Sequence, residues 1–135
     1  MDATISSELM PGYLLITGSG KVDALDEYRA MVRRYGEEIR KHGCRRILVD
    51  ERRVAYGPSL LLQSDIVDFY ESDLSPDAKH LHVAVVLDDK LLDLGEFWEH
   101  SSREAGYRYG AFSSIDEATG FLTGSGAGPD QSREC

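Results

Sequence analysis

Three carboxylates, Asp50 and the adjacent Asp88 and Asp89, each stand just beyond an apolar run, Ile47-Leu48-Val49 or Val83-Ala84-Val85-Val86-Leu87. Runs of that kind suit strands covered on both faces, so these acids are expected at neighbouring strand ends. Carboxylates converging there could hold an octahedral Mg²⁺ or form a phosphoryl-accepting pocket. A receiver-type phosphoacceptor site would also want acids after the first parallel strand, where this chain has Ser19 and Lys21. Turn formation and capping of the next helix account more simply for Asp88-Asp89, and no metal is expected.

Other candidate chemistry fails on spacing. Thr17-Gly18-Ser19-Gly20-Lys21 follows a strand and precedes a helix, as a phosphate loop does, but Leu15 and Val22 occupy the positions where that motif needs Gly and Ser or Thr. His80 and His82 alternate on one strand face and would need a third ligand from elsewhere to share a metal. No G-x-S-x-G elbow accompanies a Ser-His-Asp order, so hydrolase chemistry has no support. Cys44 and Cys135 form no C-x-x-C pair; spacing supports neither a disulfide framework nor a zinc knuckle, and Cys44 reads as a small buried apolar side chain. Ser59 follows Pro58 in the first turn of an expected helix, where free amides would favour an added phosphate or where the serine simply caps.

Net charge narrows the partners. With 24 acidic and 15 basic residues among 135, the chain carries a formal charge of -9, which repels nucleic-acid phosphates and anionic membranes. The basic pairs Arg33-Arg34, Arg40-Lys41, Arg45-Arg46 and Arg52-Arg53 fall mostly at expected helix ends and strand entrances. No apolar run approaches the roughly 18 residues of a membrane span, and the N-terminus has no signal-peptide pattern, so a cytoplasmic location is expected.

The elements that must position these residues alternate in type. Thr4 to Leu9 and Gly12 to Thr17 read as a hairpin turned at Met10-Pro11-Gly12. A helix opens at Asp23, carries Leu25, Tyr28, Val32, Tyr35 and Ile39 on one face, and stops at Gly43. A strand over Arg46 to Asp50 leads through a charged exit to a second helix starting near Pro58, with Leu61, Leu62, Ile66, Phe69 and Tyr70 on its apolar side. A strand over His80 to Leu87, a helix from about Leu91 to Ala105, a strand over Tyr107 to Phe112 and a short helix behind the Ser114 and Glu117 capping box complete the pattern. The order ββαβαβαβα predicts one α/β domain over residues 1–122, mainly parallel with an N-terminal hairpin and about four helices, and a disordered tail over 123–135. Ligands of such sheets gather beyond the carboxyl ends of the strands, here Asp50 to Ser59, Asp88 to Lys90 and Gly18 to Lys21.

The order and spacing of Gly12-Tyr13-Leu14-Leu15-Ile16-Thr17-Gly18, Arg46-Ile47-Leu48-Val49-Asp50, Val83-Ala84-Val85-Val86 and Ala111-Phe112-Ser113-Ser114-Ile115-Asp116-Glu117-Ala118 resemble the STAS-like superfamily. That superfamily is named for sulfate transporters and anti-sigma-factor antagonists, and the likeness is to its small stand-alone bacterial members. The resemblance implies a compact domain without catalytic machinery or cofactor that works by binding protein partners. In the antagonists a serine or threonine at the start of the helix after the Leu-Val-Asp-type strand is phosphorylated. The matching region is Tyr56-Gly57-Pro58-Ser59-Leu60, which lacks the Asp-Ser-Ser-Gly signature.

The expected partner surface comprises Asp50, Arg52, Arg53, Tyr56 and Ser59. An alternative reading is a small-molecule site or weak enzyme in the strand-end groove, with Asp50, Arg52, Tyr56 and Asp88 as its polar groups. A homodimer through Leu61, Leu62, Phe69, Phe97 and Trp98 is a further possibility, because these residues exceed what one core readily covers.

Overall fold

The computed structural model describes residues 4–57, 80–104 and 106–123. Five strands form one sheet in the order β1-β2-β3-β4-β5: β1 (Thr4–Met10), β2 (Tyr13–Val22), β3 (Arg46–Tyr56), β4 (His82–Val86) and β5 (Arg108–Phe112). β1 is antiparallel to β2, with Met10 opposite Tyr13, so only Pro11 and Gly12 make the turn; Gly12 has φ 89°, which glycine adopts without steric cost. The other neighbours are parallel.

Three α-helices lie among the described residues: α1 (Leu25–His42), α2 (Leu92–Glu104) and α3 (Ile115–Thr123). Glu27 starts α1 by accepting from the amides of Asp23 and Ala24, at 3.0 and 3.1 Å. Gly43 ends it at φ 67°, its amide returning to the Ile39 carbonyl at 2.8 Å. Tyr28, Met31, Val32, Tyr35 and Ile39 form the buried stripe of α1, so the spacing seen in the sequence identifies the inward face. The helix expected from Pro58 lies outside the described residues, as does 124–135 of the expected tail; α3 itself runs through Thr123.

Alternation along the central strands divides the core in two. Leu14, Ile16, Ile47, Val49 and Val85 face α1 and α2; Leu48, Ala84 and Val86 face α3, against Ala118 and Leu122. Both faces of β3 and β4 are therefore covered, which is why their sequences are continuous apolar runs. Cys44 is buried in the larger core and is disulfide-bonded, a correction to the reading from local spacing, which detects short motifs and not long-range pairs. Trp98 is buried there as well, whereas Phe97 is 44% exposed on α2; Leu61, Leu62 and Phe69 lie outside the described residues.

Two strands are longer than expected. β2 continues to Val22, so Gly18 to Lys21 is paired strand, and β3 continues past Asp50 to Tyr56. The two extend together beyond the last β3 and β4 pair, Asp50 opposite Val86. Arg52 and Arg53 give the segment a loop-like sequence because their side chains are exposed, while the strand resumes pairing at Arg53.

Candidate functional site

The far end of β3 holds most of the residues singled out for function, and a bulge arranges them. Thr17 pairs with Asp50 and Ser19 with Arg53, so Glu51 and Arg52 together lie opposite Gly18. The extra residue shifts the alternation. Ile47, Val49 and Glu51 face α1 before the bulge; Val54 and Tyr56 face it afterwards. Strict alternation would have turned Val54 and Tyr56 to the opposite side.

On the α3 side, Arg52 grips Asp50. Its Nε donates to Asp50 Oδ1 at 2.9 Å, its Nη2 to Oδ2 at 2.8 Å, and its amide to Oδ1 at 3.2 Å. Partial burial pushes the Asp50 carboxyl up, but the hydrogen bonds and charge of Arg52, with Arg53 behind, outweigh it and hold the group below the ordinary aspartate value. Arg52 and Arg53 are both exposed, so this strand end presents two guanidinium groups, one of them fixed in a fork-to-fork pair. Asp88 is exposed two residues beyond Val86, and its Oδ1 accepts from the Lys90 amide at 2.9 Å, capping the 3₁₀ turn Asp89–Leu91 that leads into α2.

On the inner side, Glu51 is only 4% exposed. The Tyr35 hydroxyl donates to its Oε2 at 2.7 Å and the Tyr56 hydroxyl to its Oε1 at 2.5 Å. Burial raises the Glu51 carboxyl above its ordinary value against the lowering effect of those two donors. Burial, followed by the nearby Glu51 carboxylate, raises the Tyr56 hydroxyl well above its own. Tyr56 also packs edge-on against Trp98 with ring centroids 5.6 Å apart, and Tyr28 lies within 6.3 Å of both. Alongside runs a small cavity of about 50 Å³ between α1, α2 and the sheet. Tyr28, Val32, Tyr35, Val83 and Trp98 contribute to its walls, with Glu51 as a buried acid among them.

The bulged strand end thus brings together Asp50, Arg52 and Arg53, with Asp88 near the adjoining strand end. Tyr56 belongs to the other side, among the aromatic rings; Ser59 lies outside the described residues. Asp50, Tyr56 and Asp88 are not among the residues lining the cavity described above. Sequence reasoning passed over Glu51 because it sits in the charged run Asp50-Glu51-Arg52-Arg53. Its signal was positional, since it continues the alternation of Ile47 and Val49.

Elsewhere a serine, a histidine and a carboxylate meet where β1 crosses the end of α1. The Ser7 hydroxyl donates to Glu38, and His42 Nε2 lies 3.4 Å from Ser7 Oγ and 3.9 Å from Glu38 Oε1. Both partners approach the same ring nitrogen, so Glu38 does not orient the imidazole from its far side as a triad acid does. His82 packs against the Phe121 ring at 4.6 Å, and His80 is exposed. Burial, followed by Arg108 and Arg46, lowers the His82 value.

No protein-family model matches the chain, and no curated protein matches it significantly. Solved structures do. An anti-sigma factor antagonist from Mycobacterium paratuberculosis superposes with a TM-score of 0.60 at 15% identity, over 89% of this chain and 93% of that one. An uncharacterised protein with a SpoIIAA-like fold from Shewanella loihica PV-4 superposes with a TM-score of 0.51 at 18% identity, over 90% and 94%. At these identities the likeness concerns architecture: the chain has the STAS-like, SpoIIAA-like fold that the order of its sequence motifs resembles.

Proposed function

We propose that this domain is a non-enzymatic, protein-binding regulatory module whose contact surface is the outer end of β3. The observation that carries the reading is the Asp50 and Arg52 fork, which fixes one exposed guanidinium beside a second, that of Arg53, on a molecule of net charge -9. Arginines held in this way suit recognition of a carboxylate-rich or phosphorylated protein surface. The fold supports the same class of role, since one of its solved examples is an anti-sigma factor antagonist. Asp50, Arg52 and Arg53 make the contact; Tyr56, through Glu51, holds the strand end behind them. Ser59, at the position the resemblance associates with phosphorylation, adjoins this surface in sequence.

The test is quantitative binding or crosslinking to an isolated partner. Arg53→Ala is expected to weaken binding by about tenfold, as for a contributing arginine at an interface, and Ser59→Asp to weaken it by placing like charge before an acidic partner. Unchanged binding by both variants would remove the assignment of this surface.

A further inference from the structure

We propose that the edge of β1 away from β2 is a self-association surface, where a second copy of this chain pairs antiparallel about a two-fold axis at Ser7 and joins the two five-stranded sheets into one. This edge is separate from the outer end of β3.

The first argument is the direction of the backbone groups. Residues of an antiparallel pair alternate between exchanging hydrogen bonds with the neighbouring strand and turning away from it. Met10 and Tyr13 flank the two-residue turn as an exchanging pair, so Thr4, Ser6, Glu8 and Met10 turn their N–H and C=O groups to β2. Ile5, Ser7 and Leu9 turn theirs to the other side, where among the described residues no strand or side chain meets them. β5, at the opposite edge of the sheet, differs: Glu99 accepts from its Ala111 amide and Arg103 donates to its Tyr109 carbonyl. β1 also lacks the proline, lysine or bulge that keeps an edge from pairing, since Thr4–Met10 is continuous in register and Glu8 is its one charged residue.

The second argument is what an axis at Ser7 places together. Ser7 stands opposite Ser7 of the second copy, Ile5 opposite Leu9 and Ser6 opposite Glu8, so every outward residue of both copies exchanges its hydrogen bonds. Leu9, 53% exposed, is laid against Ile5 of the second copy on the α1 face, and cross-strand pairs of this kind stabilise a sheet. The Ser7 hydroxyl donates to Glu38 of its own chain, so no hydroxyl is stranded at the axis. Glu8 meets Ser6, so no like charges stand directly opposite, as self-association of a chain of net charge -9 requires. An unrelated strand would match the backbone alone; the two-fold match of side chains selects a second copy.

The mass of the full chain in solution is measured by light scattering over a concentration series, and the wild type is expected to pass from the mass of one chain to that of two. Ser7→Pro removes the N–H at the axis and, because that group faces away from β2, leaves the ladder within each chain intact; it should abolish the dimer. Leu9→Lys changes an exposed side chain and should weaken the dimer by about tenfold or more, and it decides the matter if Ser7→Pro fails to fold. Crosslinking reads the register. Opposed Ser7 Cα atoms would stand about 5.5 Å apart, within disulfide reach, so Ser7→Cys should crosslink on mild oxidation; the Ser6 Cα atoms, related diagonally at about 8 Å, lie beyond it, and Ser6→Cys should not. A wild type that stays monomeric up to about 1 mM, a dimer unchanged in folded Ser7→Pro or Leu9→Lys, or crosslinking by Ser6→Cys as readily as by Ser7→Cys would overturn the proposal. None of these readouts involves another protein, so this edge and the outer end of β3 stand or fall separately.

Discussion

Asp50 and Glu51 are sequence neighbours whose carboxyl groups titrate in opposite directions. Arg52 holds Asp50 below its ordinary value despite partial burial, so stability from that pair is present above pH 3.8 and is lost as pH falls through the lower folded value. Burial raises Glu51, so the folded chain retains a proton that the unfolded chain releases near pH 4.5. Stability must therefore decline as pH rises from 4.5 through the raised folded value. Glu51→Gln is expected to remove that decline, and urea denaturation of both proteins at about pH 4.5 and about pH 8 measures the difference in slope. Wild type and variant with the same slope would mean that Glu51 is not perturbed by burial. Ser102 makes a second residue-scale case: its Oγ is fully buried on α2 and has no hydrogen-bond partner among the described residues. Ser102→Ala removes an unsatisfied hydroxyl and should stabilise the domain by about 1 kcal/mol, read as a higher denaturation midpoint.

Elements meet at two places where backbone geometry decides the outcome. One is the β3 bulge, which keeps Val54 and Tyr56 on the α1 side of the sheet. Deleting Arg52 would restore plain alternation, in which Val54 and Tyr56 stay in step with Glu51 on the inner face, so the domain is expected to fold with the Asp50 fork lost and stability reduced by no more than about 1 kcal/mol. Trp98 emission should stay as in the wild type, because its edge-on contact with Tyr56 is kept. The other is the open edge of β5. Glu99 on α2 accepts from the Ala111 amide at 2.9 Å, and Arg103 Nε donates to the Tyr109 carbonyl at 3.3 Å. Side chains of the covering helix thus satisfy groups that would otherwise invite another strand. In Glu99→Ala the Ala111 amide should exchange with solvent about tenfold faster, equivalent to a hydrogen bond of about 1.4 kcal/mol, while buried β4 amides stay protected.

At the scale of the molecule, the sheet separates two cores and with them two kinds of surface. α1 and α2 share one face with the aromatic cavity, and α3 covers the other below the Asp50 and Arg52 pair. Among the described residues no helix is long and apolar enough to cross a membrane. The charge of -9 belongs to the whole chain, and two exposed arginines do not reverse it at long range. The expected result is no measurable binding to duplex DNA at about 0.15 M salt; electrophoretic retardation there would show that the basic pairs form a stronger patch than net charge implies.

The sequence by itself determined the order of the described elements, the inward stripe of α1, the hairpin near Pro11 and Gly12 and the apolar character of β3 and β4, because these follow from local periodicity and turn chemistry. It also marked Asp88 as a cap and brought Asp50, Arg52 and Arg53 together as neighbours. Tertiary structure decided what those neighbours face. The bulge exists only because β2 and β3 pair out of step at Gly18, and that register keeps Val54 and Tyr56 on the inner face that Glu51 reaches by plain alternation. Proximity to Tyr35, fifteen residues before Asp50 and on another element, then makes Glu51 a hydrogen-bonded buried acid. A run of four charged residues reads as a solvated loop when each is judged by type; the ladder beneath it, which pairs backbone and not side chains, makes it a strand with an interior.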